Sequence, residues 1–200
     1  MFQSKITAEE IAALELRSFE GETVVIDSLG DEFGEAIRYL KSQKIIGFDT
    51  ETRPSFSPDA PHYGISLLQL SSPDRAFLFR INKIGMPHRL CAILANGNIV
   101  KVGAAVHDDI KGLQKVHGFT AASMVDLQKE VGQYGIQDLS VKKMTAIILG
   151  FKISKTQQLS NWENETLTEA QKRYAATDAW VCQEMYRKLL SSEKITEPNG

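Results

Sequence analysis

The sequence predicts an α/β fold, a mixed sheet flanked by helices. Three observations carry that expectation. Short β-branched runs cluster in the first half, strand-like and helical stretches alternate after Ile81, and the chain closes on a long helical segment. Its 200 residues, 42% hydrophobic and 24% charged, can bury one full core and hold one domain with a short appendage.

The elements run in order along the chain. Residues 7–16 (TAEEIAALEL) read as a short helix, with Thr7 and Glu10 at the spacing of a reciprocal cap. Thr23–Asp27 (TVVID) is short and β-branched, hence a strand. Asp31–Gln43 places Phe33, Ala36, Ile37 and Leu40 on one helical face. Three strand-like runs come next: Lys44–Glu51, Gly64–Ser71 and Arg75–Ile81. The stretch RPSFSPDAPHY between the first two is too rich in Pro and Ser for regular structure. A helix near Pro87–Leu94 precedes the strand candidate Ile99–Gly103, a helix runs to about His117, and Ser123–Leu127 is a further short strand. From Asp138 onward the expectation is helical, ending in a helix from about Thr168 to Leu190 that Thr168 and Gln171 cap. This divides the chain into an N-terminal helical extension (1–22), a main domain (23–191) and a C-terminal tail (192–200).

Composition excludes several classes. A net charge of −2 and a pI near 6.1 describe neither a basic nucleic-acid coat nor an acidic tail. Cys91 and Cys182 build no disulfide framework and have no zinc-ligand spacing. No apolar run approaches the roughly 20 residues of a membrane span, and the first residues, MFQSKITAEE, lack a signal-peptide core. The expectation is a cytoplasmic protein.

Carboxylates carry the chemistry. Asp49 and Glu51 end the apolar run Ile45-Ile46-Gly47-Phe48, and residues two apart on a strand share a face. Side by side on a core strand, both are costly without a cation. About three acid-x-acid pairs are expected by chance at this composition, and three occur: Glu20/Glu22, Asp49/Glu51 and Glu163/Glu165. Only the middle pair follows an apolar strand, so it is either a metal site or a strand end entering water. Val102–Ile110 (VGAAVHDDI) runs through small residues into an acidic helix start, which also suits the helix dipole. Tyr174 and Asp178 share a helix face with small neighbours Ala175, Ala176 and Ala179, though taken alone the piece reads first as a plain surface pair. Together the three pieces offer four carboxylates and a phenol. That donor set suits two hard divalent cations, Mg²⁺ or Mn²⁺; His62, His88, His107 and His117 show no zinc spacing.

These motifs resemble the DEDD 3′–5′ exonucleases of the ribonuclease H-like superfamily, in the subgroup whose third motif carries tyrosine, with the Werner-type and ribonuclease D-type domains most alike. The first motif is Gly47-Phe48-Asp49-Thr50-Glu51. The second is Val102-Gly103 through Asp109, chosen over Asp108 because apolar Ile110 follows it, and the third is Tyr174-x-x-x-Asp178. Leu159-Ser160-Asn161-Trp162-Glu163, then Leu167-Thr168 and Gln171-Lys172, match the family's approach to that third motif. The likeness extends from about Thr23 to Leu190. It departs at Thr52-Arg53-Pro54 and Lys111, where the Werner-type domain has Trp-Pro and Trp.

The resemblance implies a ribonuclease H-like mixed sheet of five to six strands. It implies an enzyme that removes nucleoside 5′-monophosphates from the 3′ end of DNA or RNA. Asp49, Glu51 and Asp178 would hold the cation that binds the attacking water; Asp49, with Asp109 through water, would hold the second beside the leaving 3′ oxygen. Tyr174 would orient the water. Residues 141–200 carry nine basic against seven acidic side chains, so Lys142, Lys143, Lys152, Lys155, Lys172 and Arg173 are phosphate-contact candidates or a solvated face. Phe56, His62 and Tyr63 would stack a terminal base or cap the core. The competing functional expectation is a non-catalytic or partner-dependent nucleic-acid-binding module. An HD-type phosphohydrolase centred on His107-Asp108 lacks the further helix-borne histidines it needs.

Overall fold

The computed structural model describes residues 1–56 and 63–195, and His62 lies outside them. Six strands form one sheet: β1 (Glu22–Ile26), β2 (Ile45–Thr52), β3 (Ile65–Ser71), β4 (Arg75–Phe79), β5 (Val100–Gly103) and β6 (Met124–Asp126), in the order β1-β4-β3-β2-β5-β6. β2, β3 and β4 pair antiparallel in succession, while β1 joins β4, and β5 and β6 extend β2, in parallel. The sheet is mixed, as the clustering of early strands and the later strand–helix alternation predict.

Helices cover both faces. On one side α2 (Asp31–Ser42), α4 (His88–Leu94) and α5 (Val106–Val116) bury Phe33, Ile37, Leu40, Leu90, Leu94 and Leu113 against Ile46, Phe48, Leu68 and Phe77. On the other, α7 (Val141–Leu149) and the 22-residue α8 (Glu169–Leu190) pack Met144, Ile148, Val181 and Met185 against Val102. Short turns of helix, α3 (Ile81–Ile84) and α6 (Leu127–Glu130), and a 3₁₀ turn (Val131–Tyr134) fill connections too short to show a periodic pattern.

The first helix, α1, spans only Ala8–Ala13, closed by the reciprocal Thr7–Glu10 cap. The chain beyond α1 is extended because it pairs elsewhere: Leu16 bridges Lys152, and Phe19 buries beside Ala76 and Ala176. The helical expectation for the whole region after Asp138 is corrected. α7 ends at Gly150, left-handed with φ +75°, and no helix resumes before Thr168 caps α8. Phe151–Ile153 is drawn out by the N-terminal segment: Arg17 N donates to Lys152 O, and Lys152 N to Glu15 O, both at 2.9 Å. Further on, Arg80, fully buried at the end of β4, donates to the Asn164 carbonyl at 2.6 Å and fixes the run into α8.

One glycine sets the distance between helix and sheet. A Cβ at Gly47 would overlap the Ala179 carbonyl oxygen, so α8 lies directly on the backbone of β2.

Candidate active site

Side chains alternate along β2, and the alternation sorts the acidic residues. Ile46 and Phe48 enter the core beneath α2 and α5; Gly47, Asp49 and Glu51 therefore face α8. There they meet Asp178, 3% exposed, on the helix that Gly47 admits. Carboxylate oxygens of Asp49, Glu51 and Asp178 all lie within 4.8 Å of one another. Asp109 sits apart from this trio, on α5, accepting a 2.6 Å hydrogen bond from Thr50 Oγ1. Asp109 is still near enough for its charge to act on Asp49. Asp108, its neighbour, is exposed.

Crowding and burial hold protons on the site. The Asp49 carboxyl is pushed up to about 8, first by burial, then by the charges of Asp178 and Asp109; a 2.9 Å hydrogen bond from its Thr50 amide works against the rise. Glu51 is pushed up to about 9 by burial and by Asp49 and Asp178. Asp178 rises through burial, against the pull of Lys155 and the nearby Tyr174 hydroxyl. Asp109 rises too, chiefly through burial. The Tyr174 phenol is driven well above its ordinary value by burial and by the Asp178 and Glu51 charges, and stays neutral. Cys182, one turn beyond Asp178, is a buried protonated thiol, so it is inert.

The donor set fits divalent cations. It is all carboxylate oxygen, the ligand type of Mg²⁺ and Mn²⁺, and Asp178 Oδ1 is buried with no hydrogen-bond partner. The other oxygen, Oδ2, takes Lys155 Nζ at 3.2 Å. Lys155 also lies 5.6 Å from the Tyr174 ring centroid and supplies the positive charge within the cluster.

Sequence reasoning singled out Lys155 only as a phosphate contact. Its approach to Asp178 depends on the irregular path after Gly150, which local periodicity does not reveal. Gln69 was missed as well: paired across the strands with Asp49, it is fully buried and its amide has no protein partner. Trp162, in the motif-like run before α8, is fully buried with its ring centroid 5.9 Å from that of Tyr174. Of the base-stacking candidates, Phe56 is 79% exposed and Tyr63 lies under the Arg53 guanidinium at 4.5 Å. Lys172 turns to Glu169 instead of the site.

Sheet order, motif placement and acid cluster define a ribonuclease H-like nuclease of the DEDD type. The chain belongs to the 3′–5′ exonuclease family, whose profile matches residues 25–192. It is 32% identical over 163 residues to human exonuclease 3′-5′ domain-containing protein 2, covering 76% of this chain and 26% of that protein. It is 30% identical over 156 residues to the mouse bifunctional 3′-5′ exonuclease/ATP-dependent helicase WRN, covering 75% and 11%. The chain thus spans about a quarter or less of these relatives. The fold also superposes on Escherichia coli RNase D, an exoribonuclease involved in structured RNA processing, with a TM-score of 0.75 at 23% identity, over 85% of this chain and 44% of that one.

Proposed function

We propose that this chain is a metal-dependent 3′–5′ exonuclease that hydrolyses the terminal phosphodiester of DNA or RNA and releases nucleoside 5′-monophosphates. The observation that carries this reading is the convergence of Asp49, Glu51 and Asp178 within 4.8 Å at a buried, unpartnered carboxylate oxygen. Residues 23–191 are the catalytic unit, with 1–22 an N-terminal extension and 192–200 a tail, and two buried free thiols suit a cytoplasmic setting. No helix among the described residues is long and apolar enough to cross a membrane.

Asp49, Glu51 and Asp178 would hold one divalent ion, and Asp49, with Asp109 mainly through water, the second. Bound there, Mg²⁺ or Mn²⁺ supplies an acidified water and neutralises charge at the leaving 3′ oxygen. The protein's own part is positional. Tyr174 stands one helical turn before Asp178 on the same face of α8, and Trp162 braces its ring. The Tyr174 hydroxyl would orient the attacking water and help it lose a proton. Water oxygen bonds to phosphorus, the bond from phosphorus to the 3′ oxygen breaks, the water's proton leaves to solvent, and the 3′ oxygen takes one up.

A denaturing-gel time course with 5′-labelled single-stranded DNA, 3′-recessed duplex and RNA tests this, in Mg²⁺, Mn²⁺ or EDTA. A metal-dependent ladder shortening from the 3′ end, absent in Asp49→Ala, is expected. Intact substrate in either metal would return the chain to a binding or partner-dependent module.

A further inference from the structure

Two adjoining cavities form a trough that ends at Tyr174. The first, of about 550 Å³, is bounded by Lys142 and Lys143 of α7, by Lys152 and Lys155 beyond it, and by Ile11 and Leu16 of the N-terminal segment. The second, of about 290 Å³, carries Arg17 and Arg173 and reaches Tyr174. Leu16, Ser154 and Thr156 line both, so they are continuous. Six cations face this trough and, among the described residues, no carboxylate lines it, in a chain whose net charge is −2.

Half of that charge has no carboxylate partner among the described residues: Lys143 sits on Asp138 at 2.8 Å and Lys155 on Asp178 at 3.2 Å, while Lys142, Lys152 and Arg173 pair with none. Lys152 Nζ donates to the neutral Ala12 carbonyl. Arg17 pairs with Glu15, but the two side chains are 56% and 66% exposed, and such pairs neutralise little. The outer wall lies ahead of residue 25, where the family match begins. It is not a loose tether: Ile6 N donates to Asp138 Oδ2 at 2.9 Å, Ile11 packs on Ala146, and Leu16 bridges Lys152.

We propose that this trough is the track for the sugar–phosphate backbone of a single-stranded polynucleotide, and that residues 4–18 are its outer wall. This rests on the exonuclease reading, because continuity with Tyr174 is what distinguishes a nucleic-acid strand from another polyanion. Tyr174 is the only aromatic side chain lining it among the described residues, so the walls grip phosphates without stacking or reading bases.

The test is the double substitution Arg17→Glu/Lys142→Glu, with Arg17→Gln/Lys142→Gln as a milder pair should the first fold poorly. Fluorescence anisotropy in EDTA measures binding of a labelled single strand of roughly 12 nucleotides across a salt series. Hydrolysis of the p-nitrophenyl ester of thymidine 5′-monophosphate in Mn²⁺ gives a reference too short to enter the trough. Losing two phosphate contacts should flatten the salt slope by about 1.4, weaken binding at least about tenfold at low salt, and lower the oligonucleotide-to-ester turnover ratio similarly. Unchanged Kd and slope would overturn the proposal. So would unchanged oligonucleotide binding with loss of polyglutamate binding, which would assign the trough to an acidic peptide. An ester left intact by the unsubstituted protein would instead refute the exonuclease reading, while anisotropy still decides the trough.

Discussion

Asp49→Asn should make the metal-free protein more stable while abolishing hydrolysis. Unfolded, Asp49 ionises near 3.8; folded, it keeps its proton to about 8. Between those values the unfolded chain has released a proton that the fold retains, so this group's contribution to stability falls as pH rises from about 4 to 8. At pH 7 the difference of roughly three pKa units corresponds to a ceiling on the order of 4 kcal/mol. Relaxation and coupling to Glu51 should leave on the order of 1–3 kcal/mol observable, or a few degrees to about 10 °C in Tm for a chain of this size. Asparagine keeps Oδ1 as acceptor for the Thr50 amide, so the local fold should survive. Thermal melts in EDTA from pH 5 to 9 are the assay. The variant should lead the parent slightly near pH 5, exceed it increasingly towards pH 8, and lose the rise in Tm that Mn²⁺ gives the parent. Parallel pH profiles for the two proteins would refute the account of a buried, proton-loaded cluster.

Tyr174→Phe keeps the contact with Trp162 and removes the hydroxyl; single-turnover hydrolysis should slow about 100-fold with Mn²⁺ affinity, read by calorimetry, little changed. Lys155→Met removes the cation seated on buried Asp178, so the metal-free Tm should fall and the gain on adding Mn²⁺ should grow, both seen by calorimetric melting. Gly47→Ala places a methyl against the Ala179 carbonyl; a loss of about 1–3 kcal/mol in urea unfolding, together with loss of hydrolysis, is expected.

The parts of this fold written in local pattern were legible without the structure. The Thr7–Glu10 and Thr168–Gln171 spacings do form reciprocal caps. Strand alternation places Asp49 and Glu51 on one face, and helix spacing does the same for Tyr174 and Asp178. The region from Gly150 to Leu167 was not legible, because its conformation is imposed from far along the chain. A left-handed glycine ends α7, Leu16 pulls Lys152 into a bridge, and Arg80 captures the Asn164 carbonyl. The partners of Lys152 and Asn164 are tens of residues or more away, where periodicity carries no information. The charge of Lys155 on Asp178 and the contribution of Arg17 to the trough arise from those same long-range contacts.

Where Gly47 meets Ala179, backbone touches backbone, so β2 and α8 are held at a fixed separation and the acids cannot relieve their repulsion by moving apart. They relieve it by taking up protons, which an arriving cation must expel. Ion capture near neutral pH is therefore also acid release. Its measured heat should track the ionisation enthalpy of whichever buffer receives those protons, and its apparent affinity should climb as the solution becomes more alkaline.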